Sequence, residues 1–125
     1  MKSSVVQDKS YSFALRIITL AKWLREQKEF EIARQLLRAG TAIGSNVEEA
    51  LAGFSRADFI TKMSIASKEA RETHYWLRLL RDSKIVPDTK MSKLDGESLE
   101  LIRIQTAIVK TSQATSAHSK LKTKN

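Results

Sequence analysis

His74 and His118 are the only imidazoles in this chain of 125 residues, and there is no cysteine. The carboxylates with a chemically suggestive placement are Glu48, Glu49, Glu69 and Glu72, with Asn46 close to the first two. A di-metal centre held between helices needs inward-facing glutamates and a Glu-x-x-His pair on each of two helices. Arg71 stands three residues before His74 and Thr115 three before His118, so neither pair exists. The lack of cysteine excludes a disulfide scaffold, a thiolate metal site and a cysteine nucleophile. Serine-hydrolase, zinc-protease, phosphate-loop and dinucleotide motifs are missing too. A single histidine with no relay partner reads as a packing or surface residue. The expectation is a protein that is not an enzyme and uses no cofactor and no metal.

Cations offer a different chemistry. Lysine and arginine total 22 against 14 acids, a net charge of +8 with a pI near 9.9. Half of that excess falls after residue 109, where Lys110, Lys120, Lys122 and Lys124 meet no acid. Arg34 and Arg38 are helical neighbours at i, i+4, and Arg71 and Arg78 share one broad side of a later helix. Arg34, Arg38, Arg71, Arg78, Lys120, Lys122 and Lys124 are the candidate phosphate contacts, for RNA or DNA read by charge and shape. Charged helix faces also serve solubility, and no base-reading module is present.

One proline and four glycines favour long uninterrupted helices to hold these residues. Four segments carry apolar residues at i, i+3, i+4, i+7. They cover about residues 10–28, 31–52, 56–84 and 91–112. Their stripes are Phe13, Ile17, Leu20, Leu24; then Ala33, Leu36, Gly40, Ile43, Gly44, Val47, Leu51; then Phe59, Met63, Ala66, Ala70, Leu77; then Leu94, Leu101, Gln105, Ile108. Ser55 and Ser92 each precede an acid by three residues, as helix-capping serines do. Gly53 suits the end of the second helix, and Pro87 lies beyond the third. Short connections join antiparallel neighbours, so the expected fold is all-α, an up-and-down four-helix bundle over residues 1–112. A polar, lysine-rich tail spans 113–125. No segment has the length and apolarity of a membrane span or a signal peptide, so the expected location is the cytoplasm.

Apolar residues exceed what one core stripe needs. Tyr11, Leu15 and Ile18 lie away from Phe13 and Leu20, while Ile65, Trp76 and Leu79 form a second group on the third helix. Such a stripe is an interface with a second copy, or a wide core with scattered surface hydrophobes. Asn46, Glu48, Glu49, Glu69 and Glu72 form a network fixing an interface, or an ordinary solvated face. Arg38 and Arg71 are the natural basic partners within one chain. Gly40 and Gly44, one turn apart, allow a neighbouring helix to approach closely.

The run from Arg34 to Ala50, RQLLRAGTAIGSNVEEA, resembles the 23S rRNA intervening-sequence protein family. Asp58-Phe59, Lys62 to Ala66, Lys68 to Thr73 and Tyr75 to Leu80 extend the resemblance, which covers about residues 10–112. The resemblance implies a left-handed up-and-down bundle assembling as a ring, typically a homopentamer. It also implies an open reading frame of the kind found within insertions that interrupt 23S rRNA genes, with no established catalytic role. A related bundle assists a retroelement reverse transcriptase and binds nucleic acid through a basic barrel surface. Asn46 and Glu48 match the family's Asn-x-Glu, and Glu69 and Glu72 match its paired acids. Glu49-Ala50 stands where many members have a glycine. The functional expectation is a homo-oligomeric bundle that binds structured RNA or other nucleic acid. The alternative is a protein-interaction or scaffolding module.

Overall fold

The computed structural model describes the backbone of residues 4–123 and the side chains of residues 4–117. Four helices follow in order: α1 (Val5–Glu26), α2 (Phe30–Leu51), α3 (Arg56–Asp82) and α4 (Asp88–Thr123). There is no strand among the described residues. Each helix packs on its sequence neighbour, and α1 also meets α4, which closes an up-and-down antiparallel four-helix bundle.

The helix ends show where local chemistry overrode the apolar stripes. α1 starts before residue 10 because extended Ser4 caps it, its Oγ accepting from the Gln7 amide at 3.0 Å. Ser55 caps α3 as expected, accepting from the Asp58 amide at 3.0 Å. Ser92 caps nothing. α4 already begins at Asp88, directly after Pro87, whose fixed φ suits a helix start. The same helix runs on to Thr123, so the expected polar tail continues α4 as far as that residue. Residues 111–123 contain neither glycine nor proline to stop it.

The turn residues also differ from simple expectation. Lys28 and Lys84 take left-handed φ values of 65° and 62° after α1 and α3. Each pays about 1 kcal/mol relative to an ordinary conformation. Gly53 has no positive φ. Its side chain is absent for a different reason: a Cβ there would lie 2.5 Å from Asp58 Oδ2 and 3.2 Å from the Ala50 carbonyl.

The core is built from the anticipated faces. Phe13, Ile17, Leu24, Leu36, Ile43, Val47, Met63, Leu77 and Leu101 are fully buried or nearly so. Leu51 departs from its stripe and is 44% exposed, because α2 ends there and no further turn covers it. Gly40 is buried against Ile17 of α1, whereas Gly44 sits beside the Ser10 carbonyl with more room. Gln105, deep in the bundle, has no hydrogen-bond partner for either side-chain amide atom.

Candidate nucleic-acid interface

The expected acidic group divides into separate contacts. Arg38 of α2 reaches across to α3, where Nη1 donates to Glu69 Oε2 at 3.2 Å and Nη2 donates to Glu72. The Glu72 bond holds Arg38 above its usual guanidinium range. Glu49 pairs instead with Lys62 at 3.0 Å. Glu48 accepts from Gln7 Nε2 at 2.6 Å, and Asn46 Nδ2 donates to its own helix at the Ala42 carbonyl. No hydrogen bond joins these three residues to the Arg38–Glu69–Glu72 group among the described residues.

The predicted phosphate contacts divide as well. Arg34 is bound to both oxygens of Glu31 at 2.7 Å, and Arg38 has two carboxylates. Both α2 arginines are therefore electrostatically occupied. Arg71 and Arg78 lie on the other flank of α3, toward α4. Arg71 Nη2 donates to Thr106 Oγ1 at 3.1 Å, and the Arg78 guanidinium sits 5.8 Å from the centre of the Tyr75 ring. Neither has a carboxylate partner among the described residues. Lys120 and Lys122 lie in α4 with side chains outside the described residues, and Lys124 lies outside them entirely.

Two further cations complete this α3/α4 face. Arg103 and Lys110 are seven residues apart on α4, as Arg71 and Arg78 are on α3, so each pair occupies one side of its helix. Thr106, which receives Arg71, falls between Arg103 and Lys110 and ties the two pairs together. Arg103 and Lys110 are exposed and form no ion pair among the described residues. Nearby acids are engaged elsewhere: Glu72 by Arg38, Glu100 by Lys9 of α1, and Asp95 by Arg81. From Leu101 onward the sequence contains no acid at all. Arg103 was not among the residues expected from sequence, although that acid-free run, with its i, i+7 cations, could have pointed to it.

His74 lies at the same α3/α4 seam with Ser98 and Asp95. The trio has the residue types of a hydrolytic relay without its geometry. Ser98 Oγ donates its one proton to the Asp95 carbonyl at 2.9 Å. His74 Nδ1, 3.0 Å from the same oxygen, must then be the donor. Asp95 approaches that same nitrogen at 4.0 Å rather than the far side of the ring. Burial pushes the His74 pKa below its ordinary value; Asp95 opposes the shift, while Arg78 and Arg81 reinforce it. No cluster of three potential metal ligands occurs among the described residues. No helix there is long and apolar enough to cross a membrane.

The apolar interface candidates lie on two helices that flank α2. On α1, Tyr11 and Leu15 are 64% and 51% exposed, and Ile18 is half-buried. On α3, Ile65 and Trp76 are half-buried and Leu79 is exposed. Trp76 packs against the core and lines a cleft with Ile32, Phe30 and Ile85.

A family model described as 23S rRNA-intervening sequence protein matches residues 2–107. The chain belongs to this family. Among solved structures, a protein of unknown function from the S23 ribosomal protein family of Bacteroides thetaiotaomicron is 47% identical. That similarity covers 85% of this chain and 99% of the other, with a TM-score of 0.82. No curated protein matches. As a member of the 23S rRNA-intervening sequence protein family, the chain places Asn46, Glu48, Glu69 and Glu72 within the matched region, while Lys110 and the residues beyond it lie outside.

Proposed function

We propose that this protein binds structured RNA or other nucleic acid without catalysis, through the α3/α4 face. The observation that carries the reading is the set Arg71, Arg78, Arg103 and Lys110, exposed on adjacent helices with no carboxylate partner among the described residues. Unpaired cations release counterions from a polyanion, whereas an arginine already held by glutamates gains less from a phosphate. Arg34 and Arg38 therefore stand outside the site. Lys120, Lys122 and Lys124 follow on the acid-free end of the chain and extend the same charge.

Phosphate contacts by the four side chains give a slope of log affinity against log salt of about −3 to −4. The test is fluorescence anisotropy of labelled hairpin RNA, single-stranded RNA and duplex DNA across a salt series. Arg71→Gln with Arg103→Gln weakens binding and flattens the slope, and Arg34→Gln with Arg38→Gln leaves both near wild type. Absence of binding at low salt overturns the proposal.

Self-association belongs to the same reading, with exposed Tyr11 and Leu15 as its contact on α1. Those two side chains also favour a second reading, a protein-interaction module in which the positive charge serves solubility. Capture of a protein partner that Tyr11→Ser abolishes, with no RNA binding, selects that alternative.

A further inference from the structure

The basic face contains a shallow cleft of about 250 Å³ lined by Ser64, Ser67, Arg71, Thr106, Val109, Lys110 and Gln113. Its composition suits an anion: two cations, three hydroxyls and an amide, with Val109 as the one apolar residue and no acid. Arg71 is already oriented there by its bond to Thr106 Oγ1. Helical hydroxyls in this molecule divide into those that bond their own backbone and those, Ser12 and Ser45 among them, that make no hydrogen bond among the described residues. Thr19, Thr41, Thr73 and Thr115 each donate to the carbonyl four residues back, the ordinary fate of a helical hydroxyl. Ser64 and Ser67 make no hydrogen bond among the described residues, although Ser67 is only 9% exposed. The Ser67 hydroxyl is therefore free to donate into the cleft that it lines.

We infer that this cleft receives one phosphodiester of a nucleic-acid backbone, with Arg71 and Lys110 supplying charge and Ser64 and Ser67 donating hydroxyl hydrogen bonds. The inference rests on the nucleic-acid reading and adds a fixed point to it. A smooth charged surface lets a polyanion slide, whereas a seated phosphate sets its register.

Removing the hydroxyls separates the seat from the charge. Ser64→Ala with Ser67→Ala leaves net charge unaltered and favours helix, so the full-length variant folds. Binding of a labelled RNA hairpin lacking a terminal phosphate is measured by anisotropy over a salt series. The double variant is expected to bind at least about ten-fold more weakly, since each hydrogen bond to a charged oxygen is lost. Its salt slope stays at the wild-type value. Arg71→Gln also weakens binding, and its slope is shallower by about one. Wild-type affinity in the serine variant, with loss in Arg71→Gln, overturns the seat and leaves the charged face standing. Wild-type affinity in both, and in Arg103→Gln, overturns the face together with the seat.

Discussion

Replacing Gly40 and Gly44 by alanine, one at a time, changes stability in opposite directions. Either alanine gains about 1 kcal/mol of helix propensity over glycine. At Gly40 the new Cβ would stand 2.7 Å from Ile17 Cγ2, 2.9 Å from Cγ1 and 3.1 Å from Cβ. Ile17 is fully buried and branched at Cβ, so it cannot rotate away without displacing its neighbours. Overpacking of this kind costs about 1–3 kcal/mol, which leaves Gly40→Ala destabilised by about 1 kcal/mol. At Gly44 the nearest atom would be the Ser10 carbonyl oxygen at 3.6 Å, an ordinary contact. Gly44→Ala therefore keeps most of its gain. Urea unfolding followed by circular dichroism, at one protomer concentration, measures both. In an Ile17→Ala background the clash is gone, and Gly40→Ala becomes neutral or stabilising. A Gly40→Ala protein at least as stable as wild type refutes the close-packing argument, as does equal loss in both variants.

Gln105→Leu raises the unfolding free energy by about 1–2 kcal/mol, because it removes two buried amide atoms without partners; a lower urea midpoint contradicts this. Arg38→Ala lowers stability by no more than about 1 kcal/mol, since the Arg38 side chain is half-exposed and solvent screens its pairs. Hairpin-RNA affinity measured on the same variant stays near wild type. His74 makes the fold acid-sensitive: its folded pKa is depressed, so below about pH 6.5 the unfolded chain takes the proton first. Stability is complete above that pH and falls as pH drops toward the folded pKa. His74→Gln flattens that part of a urea-midpoint against pH profile. Tyr11→Ser with Leu15→Ser lowers the mass seen in sedimentation while the helical spectrum is retained, and an unchanged mass clears α1 of the contact.

The helices and their buried stripes were legible because helical periodicity is a local property. Phe13 and Ile17 share a face wherever α1 packs, and Ser55 caps α3 with an amide three residues away. Arg103 was missed from sequence, although its spacing to Lys110 and the acid-free run after Glu100 are equally local signals. The partners of the charges belong to another level. Arg38 stands 31 and 34 residues from the glutamates that occupy it, and Arg71 stands 35 from Thr106. Which of them meet depends on how far α2 and α4 are shifted and rotated against α3. A shift of one residue turns a side chain by 100° and moves it about 1.5 Å along the axis. The tertiary packing sets that register, and it alone distinguished occupied Arg38 from the open arginines of α3, whereas Arg34 meets Glu31 within its own helix. Gly40 and Gly44 show the same division: the sequence places both on the face toward a neighbour, and only the position of Ile17 distinguishes them.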